Sequence, residues 1–91
     1  MSTVFKLHIY AVDRAIYDGD CVSLTVPITD GQIGVLAHHT PLAAAVVPGK
    51  ITYRPPQGRE AVTLACGTGI LRFANNDALV LLDSVKAAEA K

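Results

Sequence analysis

The residues best able to do chemistry in this chain are three histidines, two cysteines and a few aspartates. His38 and His39 stand side by side within the stretch Thr29–Leu42, where Gly31 and Gly34 relax the backbone on either side of Ile33 and Thr40-Pro41 follows. Together with His8 they could ligate a metal ion, but a zinc site needs three or four convergent ligands. Neighbouring residues on a strand point to opposite faces, and acidic residues near the histidines are few. The competing reading is that His8 faces solvent from a strand and the pair belongs to a surface loop. Cys66, next to Gly67, could act as a nucleophile if the fold brought a histidine within reach. Asp18, Asp20 and Asp30 lack the spacing of a calcium loop, and no paired carboxylates for acid–base work are evident. Gly67-Thr68-Gly69 could be read as a phosphate cradle, but no lysine and no helix start follow it. A bend or bulge is the simpler reading. The residues give no positive sign of catalysis and call for no cofactor. What stays open is an interaction module, a free-standing β-sandwich that binds a small ligand or metal through the His38-His39 loop, or a hydrolase built on Cys66.

The elements that must position these residues are short. Phe5, Leu7, Ile9 and Ala11 alternate with Lys6, His8 and Tyr10 across 4–12, the pattern of a half-buried strand. Ala15–Tyr17 reads as a short strand and Asp18-Gly19-Asp20 as a turn. Over Cys21–Val26, Val22, Leu24 and Val26 are expected inward and Cys21, Ser23 and Thr25 outward. Pro27, which lacks an amide donor, should end that strand. Thr29–Leu42 reads as a surface loop footed by Ile33, Val35 and Leu36; loops of this kind usually contact something. Leu42–Val47 reads as a strand buried on both faces, closed by the turn Pro48-Gly49. Further strands are expected at Lys50–Arg54, Arg59–Cys66, Ile70–Phe73 and Ala78–Leu82, joined by turns at Pro55–Gly58 and Asn75–Asp77. Ser84 could cap a helical turn or two through Lys91. The expected fold is all-β, with residues 1–83 as the domain and 84–91 as a short tail.

The bulk composition agrees. The 91 residues are 51% hydrophobic and 18% charged, the balance of a folded chain. With only 5% aromatic residues and no tryptophan, the core must be aliphatic. Eight basic and eight acidic residues cancel, leaving no electrostatic footprint for nucleic acid or anionic lipid. The two cysteines form no Cys-x-x-Cys pattern and read as reduced thiols in or near the core. No basic start followed by an apolar block opens the chain, and no run approaches the roughly 20 apolar residues of a membrane span. The expectation is a soluble cytoplasmic protein that meets a membrane only through a partner.

One further pattern carries more. Asp30-Gly31-Gln32-Ile33-Gly34-Val35-Leu36, then His39-Thr40-Pro41-Leu42, then Pro48-Gly49, resembles the epsilon subunit of F-type ATP synthases. That family shows an acidic-Gly-Glu-x-Gly-Ile-Leu run, then Gly-His-x-Pro-Leu, then Lys-Pro-Gly. Phe5–Ile9 and Ala78–Asp83 resemble its first and last strands, so the resemblance spans nearly the whole chain. Gln32 stands where the family has Glu, Ala37-His38 where it has Pro-Gly, and Gly67-Thr68-Gly69 is longer than its Gly-Gly. The resemblance implies a flattened two-sheet antiparallel β-sandwich. It also implies a non-catalytic rotor subunit that links the gamma subunit to the membrane c-ring, peripheral on the cytoplasmic face of the cell membrane in the F1 sector. By the same resemblance, Gly31, Gln32, Ile33, Gly34, His38 and His39 would meet the c-ring loops, and Ala11, Leu42, Ala43, Ala44 and Val46 the gamma subunit. The helical pair to which that family assigns inhibition and ATP binding has no counterpart in these 91 residues, so neither is expected here.

Overall fold

A computed structural model describes residues 3–87. The chain forms ten strands: β1 (Phe5–Ala11), β2 (Ala15–Cys21), β3 (Ser23–Ile28), β4 (Gly31–Leu36), β5 (Leu42–Val46), β6 (Gly49–Arg54), β7 (Val62–Cys66), β8 (Gly69–Ala74), β9 (Asp77–Leu82) and β10 (Val85–Ala87). They make two five-stranded sheets packed as a sandwich. The first has the order β2-β1-β9-β8-β5 and the second β10-β7-β6-β3-β4. Neighbouring strands are antiparallel except for β1 and β9, which run parallel at the centre of the first sheet. No helix occurs among the described residues.

Alternation builds the core as expected. Phe5, Leu7 and Ile9 of β1, with Leu71, Phe73 and Val80, face Leu24, Val26, Val35 and Ile51 of the second sheet, all at most 2% exposed. Phe5 meets Phe73 edge to face at 5.6 Å. Tyr17 and Tyr53, 4.6 Å apart, join the two sheets at one side. No polar or charged residue is fully buried among the described residues, so apolar area supplies the cohesion.

Several local expectations give way to pairing. Asp18-Gly19-Asp20 is not a turn: it lies in β2, with Gly19 opposite Leu7. Cys21 is fully buried and Val22 only partly so, the reverse of the expected alternation. The cause is a change of sheet: β2 ends at Cys21 in the first sheet and β3 begins at Ser23 in the second. Pro27 sits inside β3, opposite Gln32 of β4. What stops near it is the ladder with β6, whose last pair is Thr25 with Thr52. Thr29–Leu42 is half strand and not one loop, since β4 forms a hairpin with β3 through a two-residue turn at Thr29-Asp30. β5 is an edge strand with Ala43 and Ala45 exposed, not a strand buried on both faces. Val85–Ala87 pairs with β7 as a strand, so Ser84 caps no helix there. The rest of that expected helical stretch lies outside the described residues.

Candidate functional site

Two exposed regions carry the residue types singled out by the sequence, and the strands place them differently. The first is the tip of the β3–β4 hairpin. Asp30, in the turn, has φ 70°, and Gly31, the first residue of β4, has φ 146°. Gly31, Gln32 and Gly34 are exposed, while Ile33 packs against the core and Val35 is buried in it. The tip is therefore a polar ledge rooted by two inward side chains.

His38 and His39 lie past the other end of β4. At about 3.3 Å per strand residue, they are on the order of 20 Å from Gln32. His38 has φ 65°, and its amide donates to Asn76 Oδ1 at 2.7 Å. The same Asn76 side chain donates to the Val4 carbonyl, at 2.9 Å, and the Asn76 main-chain carbonyl accepts from Lys6 N. His39 Nδ1 donates to the Thr40 carbonyl at 2.7 Å, and its ring meets Phe73 edge-on at 5.9 Å. The pair thus fastens a loop to the β8–β9 turn. Among the described residues, no group of three His, Cys, Asp or Glu side chains is placed to hold a metal.

The second region is the outer face of the first sheet, where the register lays side chains in rows. One row runs Tyr10, Leu81, Ile70, Ala45 across β1, β9, β8 and β5. The next runs His8, Leu79, Arg72, Ala43. A third holds Lys6, Asp77 and Ala74, and β2 adds Asp18 and Asp20 beside them. Ile70 and Leu81 are 50% and 39% exposed, so this half of the face is apolar and wet. Of the residues matched to a gamma contact, Ala43 is on this face. Leu42, Ala44 and Val46 turn the other way, toward Phe73, Leu71 and the core. Ala11 sits at the end of β1 opposite Leu82.

Sequence reasoning missed the polar corner of this face. His8 Nδ1 lies 2.9 Å from Asp18 Oδ1, and Nε2 lies 3.3 Å from Asp77 Oδ1. Tyr10 donates to Asp18 at 3.2 Å, and burial first, then Asp18, raises its pKa. Lys6 pairs with Asp20 at 2.8 Å, and that hydrogen bond raises its pKa. These acids are ten or more positions from His8, so no local spacing reveals them; only the β1–β2 and β1–β9 registers do.

The remaining chemical candidates are occupied by the chain itself. The Cys66 thiol donates to the Val47 carbonyl, and burial raises its pKa, which disfavours the nucleophilic thiolate. The Gly67 amide donates to the Ser84 carbonyl, and the Thr68 hydroxyl donates to Asp83 at 2.8 Å. A side chain at Gly69 would collide with the Leu81 carbonyl, so the glycine serves close approach of two strands rather than a ligand.

Comparison with known proteins agrees with this architecture. The family described as "ATP synthase, Delta/Epsilon chain, beta-sandwich domain" matches residues 4–88. The ATP synthase epsilon chain of Dichelobacter nodosus (strain VCS1703A) is 33% identical over 90 residues, covering 98% of this chain and 62% of the relative. That of Synechococcus sp. (strain PCC 6716) is 30% identical over 86 residues, covering 94% of this chain and 61% of the relative. The chain therefore spans less than two thirds of the length of these relatives. A chain in the Euglena gracilis mitochondrial ATP synthase structure (OSCP/F1/c-ring, rotational state 1) superposes with a TM-score of 0.87 at 16% identity, covering 96% of this chain and 55% of that one. A chain in the central stalk/c-ring structure of the Tetrahymena thermophila mitochondrial ATP synthase gives 0.75 at 9% identity, covering 90% and 65%. At such identities the structural likeness speaks for the fold, while the family match speaks for descent. The described residues form a β-sandwich of this kind, and the chain belongs to the ATP synthase delta/epsilon chain family.

Proposed function

We propose that this chain is the β-sandwich of a non-catalytic central-stalk subunit of an F-type ATP synthase, coupling a gamma subunit to the c-ring during ion-driven ATP synthesis. The observation that carries this reading is the family match across residues 4–88, joined to two separate exposed surfaces on one rigid sandwich. A coupling element needs two contact surfaces and a stiff body between them. The exposed tip around Gly31, Gln32 and Gly34 supports a contact with polar ring loops. The outer face of the first sheet, including Ala43, supports a flat contact with gamma, because small side chains allow close approach. Ile33, Leu42, Ala44 and Val46 support these surfaces from within. His38 and His39, remote from the tip, fit a role in holding the β4–β5 loop rather than in the ring contact. In this reading the protein is peripheral, on the cytoplasmic side of the cell membrane, held there by the complex.

The test pairs binding with coupling. The chain mixed with the gamma subunit of its own complex should co-elute on a sizing column. Gln32→Ala should leave that complex intact and lower ion-coupled ATP synthesis severalfold in reconstituted vesicles. No complex with gamma, or unchanged coupling, would count against the assignment.

A further inference from the structure

At one end of the sandwich, three connections between strands meet. Gly67-Thr68 leads from β7 in the second sheet to β8 in the first, and Asp83-Ser84 leads back from β9 in the first to β10 in the second. The two are laced together. The Gly67 amide donates to the Ser84 carbonyl at 3.0 Å, and the Asp83 amide donates to the Thr68 carbonyl at 2.9 Å. The Thr68 hydroxyl donates to Asp83 Oδ2 at 2.8 Å and the Ser84 hydroxyl to Oδ1 at 3.2 Å, so both carboxylate oxygens of Asp83 are engaged. Gly67 leaves room for this, because a Cβ there would collide with the Asp83 carboxylate and the Ser84 hydroxyl. The third connection, between β1 and β2, sends in Arg14, whose guanidinium donates to the Val85 carbonyl at 3.2 Å.

These bonds converge on the base of β10, which has few other attachments. It is shorter than every other strand, and β7 is its one neighbour. Their ladder holds three pairs, from Val85 with Cys66 to Ala87 with Leu64. Each of the other strands places at least one side chain among the fully buried core residues. From β10, Val85 packs only partly buried against that core, and Lys86 is exposed. The side-chain bonds at Asp83 and Arg14 are open to water, which competes for the same donors and acceptors. A segment with few buried apolar contacts and wet hydrogen bonds opens at a lower free energy than the domain that carries it. We infer that β10 is a strap that opens and closes as a unit on an otherwise intact sandwich, and that Asp83 with Thr68, Ser84 and Arg14 is its clasp. Closed, the strap completes a five-stranded second sheet. Open, it leaves that sheet ending at β7, with the edge of Leu64–Cys66 uncovered.

The experiment follows amide hydrogen exchange by NMR at rising urea for the wild type, Thr68→Val, Arg14→Ala and Val35→Ala. The Gly67 and Asp83 amides should share one opening and exchange about 30-fold or more faster than amides of β9, which β1 and β8 flank on both sides. Low urea should speed exchange in β9 but not at Gly67 and Asp83, because a strap exposes little surface when it lifts. Thr68→Val removes one clasp hydroxyl and should speed exchange at Gly67 and Asp83 about 3- to 10-fold; Arg14→Ala should act in the same direction. Val35 is buried in β4, at the opposite edge of the second sheet. Val35→Ala should speed exchange in β9 about 10-fold through lost apolar burial. It should leave Gly67 and Asp83 unchanged, because the closed and open forms carry that loss equally. If Gly67 and Asp83 follow β9 in urea, or if Val35→Ala speeds them as much as β9, the strap does not open on its own and the proposal is overturned. Unchanged exchange at Gly67 and Asp83 in both Thr68→Val and Arg14→Ala would overturn the clasp.

Discussion

At the tip of the β3–β4 hairpin, Asp30 and Gly31 hold positive φ, Gln32 and Gly34 look into solvent, and only Ile33 and Val35 reach inward. On the outer face of the first sheet, none of the strand residues takes positive φ, and side chains stand in register across four strands. The tip is shaped by backbone conformation. The face is shaped by what lies beneath it, because Leu71, Phe73, Ala78 and Val80 are buried directly under its rows. The tip can therefore change its chemistry with little effect on stability. The face cannot be altered at an inward position without disturbing the core.

The largest expected effect separates the two regions by stability. Leu71 is fully buried under the face, so Leu71→Ala should cost about 2–5 kcal/mol through the cavity it leaves. Leu36, at the far end of the tip strand, is 61% exposed, and Leu36→Ala should stay within about 0.5 kcal/mol. Urea titration of both variants decides it; similar losses would mean that the face has no special dependence on its underside.

A smaller effect distinguishes the sides of β5. Ala44 turns toward Leu71, so Ala44→Arg should destabilise the fold by about 1–3 kcal/mol through overpacking. Ala43 points out beside Arg72, so Ala43→Arg should leave the midpoint of unfolding nearly unchanged and weaken gamma binding instead. If Ala43→Arg unfolds the domain and Ala44→Arg does not, the inward and outward sides of β5 are exchanged.

The smallest effect is a pH control that should spare both regions. Burial raises the Cys21 thiol above its ordinary 9.0, so the folded chain keeps a proton that the unfolded chain releases. Its stability is then full below the ordinary thiol value and lost as pH climbs toward the raised one. Cys21→Ala should flatten the loss of stability between about pH 8.5 and 10, before the buried tyrosines contribute. An identical alkaline slope in wild type and variant would show that Cys21 titrates as if exposed.

These contrasts also explain what could be read from residues alone. Phe5, Leu7 and Ile9 announce β1 because alternation is local, and Asn75-Asn76 announces a tight turn because both residues tolerate positive φ, here 54° and 59°. The family pattern around Asp30–Leu42 rests on glycine, histidine and proline at set offsets and was equally visible. Asp18-Gly19-Asp20 misleads because its composition suits a turn, yet edge strands also carry charges on their wet side. Cys21 and Val22 mislead because a change of sheet resets which side is inward. The His8 corner and the row that sets Arg72 between Leu79 and Ala43 depend on which strands become neighbours, and periodicity within a segment says nothing about that.

The parallel pairing of β1 with β9 has a consequence for how the molecule comes into being. Lys6 meets Asp77 and Ala11 meets Leu82, so β1 waits for β9, made much later, before it gains its second neighbour. Until then β1 can pair only with β2, leaving one edge open. All-β chains dominated by such distant pairings fold in roughly milliseconds to seconds, after loop closure has been met. At about 5–20 residues per second, synthesis is slower than that closure, so maturation of the first sheet is gated by the emergence of β9. A nascent chain stalled before Asp77 would keep that edge of β1 unpaired, however complete its hairpins.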